Sequence, residues 1–188
     1  MKEPIKILVK NEQLTLDGIK QYYISMEKDE QKFPTLLQLY KNIAITQCMV
    51  FTNRKERVQE LADKLREQKF VVSSIHGEME MQERVNIMKE FRSGSTRILV
   101  STDLLGRGID IQQVNLIINY DMPNDPSKYI HRIGRSGRFG RKGVAINLVT
   151  PGDADFLVKL RTYYNTQIDE LPFDLSKIYE WFCIDPRW

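Results

Sequence analysis

Apolar positions along this chain alternate between two spacings. Ile19 to Met26, carrying Tyr22, Tyr23 and Ile24, reads as a first strand. Phe33, Leu36, Leu37 and Tyr40 then fall at i, i+3, i+4 and i+7, the stripe of a helix. Cys48-Met49-Val50-Phe51 is a short apolar run, and Val58, Leu61, Ala62 and Leu65 return to helical spacing. Val71 to Ile75 is a β-branched run; Met81, Val85 and Met88 mark another helix. Arg97-Ile98-Leu99-Val100-Ser101 and Leu116-Ile117-Ile118-Asn119-Tyr120 are nearly continuous apolar runs, as strands buried on both faces are. Asp125-Pro126 offers an N-cap followed by proline at the first helical position, with Tyr129, Ile130 and Ile133 as the buried stripe of that short helix. Gly143 to Val149 is a last strand, and Phe156, Leu157 and Leu160 begin a terminal helix running to about Tyr164.

This repetition predicts an α/β fold, a mainly parallel central sheet with helices on both faces. Ligands of such sheets gather at the carboxyl ends of the strands. Function is therefore expected in the loops near 52–55, 76–78, 102–110, 121–126 and 131–143, where polar residues and glycines cluster.

Length and composition bound the reading. At 188 residues, 41% hydrophobic and 28% charged, the chain suits one domain or slightly more, with a core that needs no staples. No apolar run reaches the roughly 18 residues of a membrane span, and Met1 to Lys10 does not resemble a signal peptide. Cys48 and Cys183 have no Cys or His at ligand spacing, and His76 and His131 are far apart. A metal site is thus not expected, and a reducing compartment fits best. The net charge of +3 is uneven: residues 1–150 hold 24 Lys+Arg against 18 Asp+Glu, whereas residues 151–188 hold 4 against 7. The basic part is suited to a polyanion.

The chemistry concentrates in His131-Arg132-Ile133-Gly134-Arg135-Ser136-Gly137-Arg138-Phe139-Gly140-Arg141-Lys142-Gly143, four consecutive Arg-x-Gly triplets without an acid. On a helical turn Arg132, Arg135 and Arg138 would form one drifting stripe. Arginine forks pair phosphate oxygens and stay charged, so two of them on a terminal phosphate would stabilise phosphoryl transfer. A solvated basic turn, or a flexible segment binding RNA without order, fits the same composition.

Ser101-Thr102-Asp103-Leu104-Leu105-Gly106-Arg107-Gly108-Ile109-Asp110 follows a buried strand. Ser101 and Thr102 supply hydroxyls and amides for a nucleic-acid phosphate, and Asp110 suits a ribose hydroxyl, an arginine or a cation. A plain turn with Asp103 as helix cap is the alternative. His76-Gly77 with Glu83-Arg84, and Thr52-Asn53-Arg54-Lys55, offer weaker phosphate sites; a β-α turn with a surface ion pair and a capped helix explain them as well. His131 has no nucleophile beside it, and a structural hydrogen bond is its expected role.

Together these segments resemble the C-terminal RecA-like domain of a DEAD-box RNA helicase, most similar to the branch of eukaryotic translation initiation factor 4A. Val50-Phe51-Thr52-Asn53 matches helicase motif IV, and His76-Gly77 with Glu83-Arg84 the motif after it. Ser101-Thr102-Asp103 with Arg107-Gly108-Ile109-Asp110 matches motif V, and His131 to Arg138 motif VI. Phe91-Arg92-Ser93-Gly94 and Tyr163-Tyr164-Asn165-Thr166 also look like that branch. The resemblance implies a three-layer αβα RecA-like domain over 14–178, an interdomain linker remnant at 1–13 and an aromatic C-terminal extension at 179–188.

By the same resemblance, Arg135 and Arg138 would be arginine fingers on the ATP γ-phosphate, and Asp110 and Arg107 would serve the nucleotide. Asn53, Gly77, Arg84, Thr102 and Arg107 would bind the RNA sugar-phosphate backbone. Three features depart from the pattern: Arg54 in place of a threonine, Met81 in place of a glutamine, and the ending Trp181 to Trp188. No Gly-x-x-x-x-Gly-Lys-Ser/Thr loop and no Asp-Glu-Ala-Asp segment is present, so ATP and Mg2+ are expected only together with an N-terminal RecA-like domain. The expectation is half of an ATP-dependent RNA helicase, inactive alone and cytoplasmic or nuclear, with RNA, the other half and a scaffold protein as partners. A non-catalytic RNA-binding or scaffold-docking module is the alternative.

Overall fold

Strands and helices alternate because the apolar period alternates. The computed structural model describes residues 18–43, 47–103, 114–136, 142–174 and 178. Its elements run β1 (Ile19–Ser25), α1 (Lys32–Asn42), β2 (Cys48–Phe51), α2 (Lys55–Glu67), β3 (Val72–Ile75), α3 (Met81–Arg92) and β4 (Ile98–Ser101). There follow β5 (Leu116–Asn119), α4 (Pro126–Ile133), β6 (Gly143–Val149), α5 (Ala154–Tyr164) and β7 (Asp169–Glu170). The strands make one seven-stranded sheet in the order β3-β4-β2-β5-β6-β1-β7, and each pairing is parallel.

The pleat sorts the side chains into two cores. Met49, Leu99, Ile117 and Ala145 face Met88 and Phe91 of α3, Tyr129, Ile130 and Ile133 of α4, and Leu157 and Leu160 of α5. Their neighbours Cys48, Val50, Val100, Ile118 and Ile146 point the other way, toward Leu36 and Leu39 of α1 and Val58, Leu61 and Leu65 of α2. Register keeps like with like: Met49 lies opposite both Leu99 and Ile117. The result is the three-layer αβα arrangement, with its central strands buried on both faces.

Three elements differ from the sequence reading. Val71 lies outside β3 and is exposed, so the strand begins one residue later. α3 forms, but Met81 (54% exposed) and Val85 (47%) face solvent. The inward stripe is Arg84, Ile87, Met88 and Phe91, because the first turn of α3 borders a polar cleft rather than the core. β6 is not the last strand: the short β7 joins the sheet beside β1, with Tyr22 opposite Asp169. Its exposed acidic sequence, Asp169-Glu170, carries no strand signal. The linker at 1–13 and the extension at 179–188 lie outside the described residues.

Candidate nucleic-acid interface

Because the strands are parallel, the loops after β2, β3, β4 and β5 open on one edge of the sheet. Backbone bonds tie these ends together: Thr52 N donates to Ser101 O (2.9 Å) and Asp121 N to Phe51 O (3.1 Å). A cleft of about 600 Å³ lies along this edge. Asn53 and Lys55 line it after β2, His76, Gly77 and Glu78 after β3, and Thr102 and Asp103 after β4. Arg84 of α3 and Lys128 of α4 complete the wall.

Arg132 underlies this cleft and is 2% exposed. Its Nε and Nη2 fork onto Asp103 Oδ1 and Oδ2 at 2.5 and 2.9 Å. Nη2 also donates to Asn53 Oδ1 (2.8 Å), and Nη1 to Asp121 O (2.6 Å) and Asn119 Oδ1 (3.2 Å). The guanidinium lies 5.3 Å from the centroid of the Phe51 ring. One planar cation thus joins the loops after β2, β4 and β5, as a bidentate arginine can and a lysine cannot.

Asn53 is held from both ends of its amide, since its Nδ2 donates to Met122 O at 2.8 Å. Its backbone N donates to Asp121 Oδ2 at 3.0 Å. Asp121 Oδ1 in turn meets Lys32 Nζ (3.4 Å) and Arg57 Nε (3.3 Å), and both cations reach Asp29. Burial of Asp29 alone would raise its pKa, but hydrogen bonds from Lys32 and Arg57 outweigh this and hold it below the ordinary carboxylate value. Burial pushes the nearby Tyr120 phenol up to about 12. Inward from Arg132, Asn119 Nδ2 donates to Asn147 Oδ1 (2.8 Å), and Asn147 Nδ2 donates to the Tyr129 hydroxyl (3.3 Å). The Tyr129 hydroxyl donates to Gln21 Oε1 (2.8 Å). The polar network is continuous from the cleft floor to β1.

At the mouth, Lys55 and Glu78 are hydrogen-bonded. That bond raises the pKa of the lysine and lowers that of the glutamate. Deeper in, two buried side-chain nitrogens, His76 Nδ1 and Arg84 Nε, lack a hydrogen-bond partner among the described residues. Arg84 Nη2 lies 3.8 Å from the thioether of Met81, a weak acceptor. Buried polar atoms in folded proteins are nearly always paired. Arg84 Nε is a donor that an anionic or polar ligand reaching it would satisfy, whereas His76 Nδ1 is a donor or an acceptor according to its tautomer.

The structure therefore gathers Asn53, Gly77, Arg84 and Thr102 in one cleft. Arg107, Asp110 and Arg138 lie outside the described residues. Arg135 is half-buried just beyond α4; its N donates to Arg132 O (3.1 Å) and its carbonyl accepts from Val114 N (3.4 Å). The helix ends at Ile133, so Arg135 lies beyond it, and Arg132 turns inward. His131 is exposed. Asp103 takes Arg132 rather than acting as a plain turn residue. Sequence reasoning missed Asp121 and Lys128, offered Lys55 only within a weaker phosphate site, and placed Arg132 in an arginine stripe rather than in the structural joint it forms. A signal existed for Arg132, which sits among Tyr129, Ile130 and Ile133 on the buried side of α4.

Among the described residues, no group of three or more His, Cys, Asp or Glu could hold a metal ion. No described helix is long and apolar enough to cross a membrane. The helicase conserved C-terminal domain model matches residues 31–140. The ATP-dependent RNA helicase FAL1 of Meyerozyma guilliermondii is 58% identical over 176 residues, which are 94% of this chain and 44% of that protein. The ATP-dependent RNA helicase eIF4A of Kluyveromyces lactis is 54% identical over 180 residues, 96% of this chain and 46% of that protein. The C-terminal domain of the DEAD-box protein Dbp5 superposes with a TM-score of 0.78 at 35% identity, covering 90% of this chain and 99% of that one. The chain spans about half the length of the curated relatives it matches.

Proposed function

This chain belongs to the DEAD-box RNA helicases, as their helicase C-terminal domain, and from that premise we propose that the cleft holds the sugar-phosphate backbone of single-stranded RNA. The observation that carries this reading is the pair of unpartnered buried nitrogens beside Gly77 and Thr102, in a wall that also carries Lys55 and Lys128. Arg84 takes a phosphate, Thr102 offers its hydroxyl and amide, and Gly77 leaves its backbone accessible. Asn53 is clamped by Arg132 and Met122, and its part is to fix the cleft wall as well as to face the strand. Contacts of this kind carry little base preference.

The rest of the activity needs a second RecA-like domain, to which ATP and Mg2+ bind. Arg135 and Arg138 serve as arginine fingers on the γ-phosphate, and Asp110 with Arg107 serves the ribose and the coupling of the two sites. ATP supplies the free energy that opens and closes the two halves. Closure on both ligands bends the RNA and separates short duplexes, or strips bound protein from it. The chain alone is then without appreciable ATPase activity. Its place is the cytoplasm or the nucleus, where RNA is the substrate.

The direct test is to titrate the chain with a short oligouridylate over a range of salt. Arg84→Ala is expected to weaken binding and to reduce the salt slope by about one unit. An unchanged affinity and slope would remove the cleft from the RNA path. Tight binding at high salt by the chain alone would favour an autonomous RNA-binding module.

A further inference from the structure

Neither the sheet nor the cleft accounts for the segment 179–188, which holds Trp181, Phe182, Ile184 and Trp188. Ile178, immediately before it, is 1% exposed and belongs to the apolar layer that α1 and α2 form against the sheet. Leu39 of α1 is part of that layer, and Ile24 and Leu171 pack against it. The same three residues line a groove of about 350 Å³ between α1 and the β1–β7 edge. Thr35 and Gln38 of α1 stand on one side of it. Residues 170–173 form the other side, held to the sheet by Leu171 N donating to Tyr23 O (2.9 Å). Phe173, which also lines the groove, is wholly exposed.

We propose that the segment 179–188 folds back onto this groove, with Trp181 and Phe182 as its anchors, so that the chain covers the groove itself. The reading of the RNA cleft is not needed for this, since groove and cleft share no lining residue. Buried Ile178 fixes the start of the segment in the layer from which the groove opens. Trp181 follows three residues later, within roughly 10 Å of extended chain, and the whole segment spans roughly 35 Å at most. The segment therefore meets the groove at a high effective concentration, and bears little of the association entropy that falls on a separate partner or a second copy. The chemistry of the two sides matches. Aromatic rings gain most from leaving water, and Ile24, Leu39 and Leu171 give them an apolar floor. An indole N–H is a donor only, and Gln38 and Glu170 carry acceptors. Glu170 is the charged side chain among the groove's lining residues, and Arg187 is the cation of the segment.

The two tryptophans of the sequence both lie in this segment, so selectively excited tryptophan emission of the whole chain reports on it alone. The emission of the native chain is expected to lie to the blue of that in urea. Acrylamide should quench it severalfold less, at every protein concentration. Thr35→Arg combined with Gln38→Arg sets two long cations in the groove, on a helix surface where arginine is a good helix former. In that variant emission and quenching are expected to move to the values of the unfolded chain, with circular dichroism unchanged. A native emission already equal to that in urea would overturn the proposal. So would a blue-shifted emission that the groove variant leaves in place, since the tryptophans would then be buried elsewhere. An emission that shifts red on dilution would overturn it too, by assigning the burial to a second copy. Should the double variant fail to fold, NMR contacts between the Trp181 indole and the methyl groups of Leu39 and Leu171 in the wild-type chain decide. Their presence supports the docking and their absence refutes it.

Discussion

Arg132 shows what a single buried cation does here. It is nearly inaccessible, yet it makes five hydrogen bonds, to Asn119 at the end of β5 and to residues on the loops after β2, β4 and β5. Removing it leaves Asp103 and the Asn53 carbonyl facing a hole. Arg132→Ala is therefore expected to lower stability by about 3–5 kcal/mol, the cost of breaking a buried pair from one side. Arg132→Lys restores charge without the fork and should recover only part of this. Urea unfolding of both variants measures it. An effect near zero would mean that the fork is not a structural joint. The sequence displayed Arg132 as one of a row of similar Arg-x-Gly arginines. Its place among Tyr129, Ile130 and Ile133 hints at burial, but the row does not say what would pair with it, because that partner is Asp103, 29 residues earlier.

At the scale of elements, the loops after the strands are joined by charged pairs whose strength differs with exposure. Lys55 at the start of α2 reaches Glu78 after β3, and both are exposed. Such pairs contribute little to stability in water. Glu78 does, however, place an anion at the mouth of an anion-binding cleft. Glu78→Gln should leave thermal stability nearly unchanged and tighten oligouridylate binding severalfold at low salt, through the freed Lys55. Equal affinity in the variant would show that the pair does not gate the cleft. The contact of Lys32 and Arg57 with Asp29 and Asp121 is of the other kind, since the Lys32 side chain is 5% exposed and Asp121 10%. Asp29 has its pKa lowered in the folded state. A group of that sign stabilises the fold above its unfolded pKa near 4 and loses that contribution as the pH falls through the lower folded value. Stability should drop below about pH 4, and Asp29→Asn should flatten the drop in acid unfolding curves. The helices themselves were plain in the sequence. Asp125 caps α4, accepting from Ser127 N (2.7 Å) and Lys128 N (3.3 Å), and Pro126 follows as expected. What spacing could not give was the rotation of α3, since Met81 and Val85 satisfy the helical period as well as Ile87 and Phe91 do.

At the scale of the whole molecule, the parallel sheet places its loops on one edge, and the proposed reaction needs a second body to face that edge. Mixing this chain with an N-terminal RecA-like domain carrying a phosphate-binding loop is expected to give RNA-stimulated ATP hydrolysis. Neither piece alone should turn over appreciably. Arg138→Ala should then reduce the rate on the order of 10³-fold, as loss of an arginine finger does. Full activity in that variant would transfer the finger role elsewhere. The sequence by itself determined the order of strands and helices, the two apolar faces of each central strand and the clustering of basic and glycine-rich segments after the strands. These follow from local period and composition, which short stretches of chain carry within themselves. Only the tertiary structure decided that Arg132 points inward, that Arg84 and His76 share a wall with atoms left unpaired, and that acidic Asp169-Glu170 pairs with β1 as a strand. Each of these depends on a partner distant in sequence, and a charged or polar side chain finds its lowest free energy only once that partner has been brought beside it.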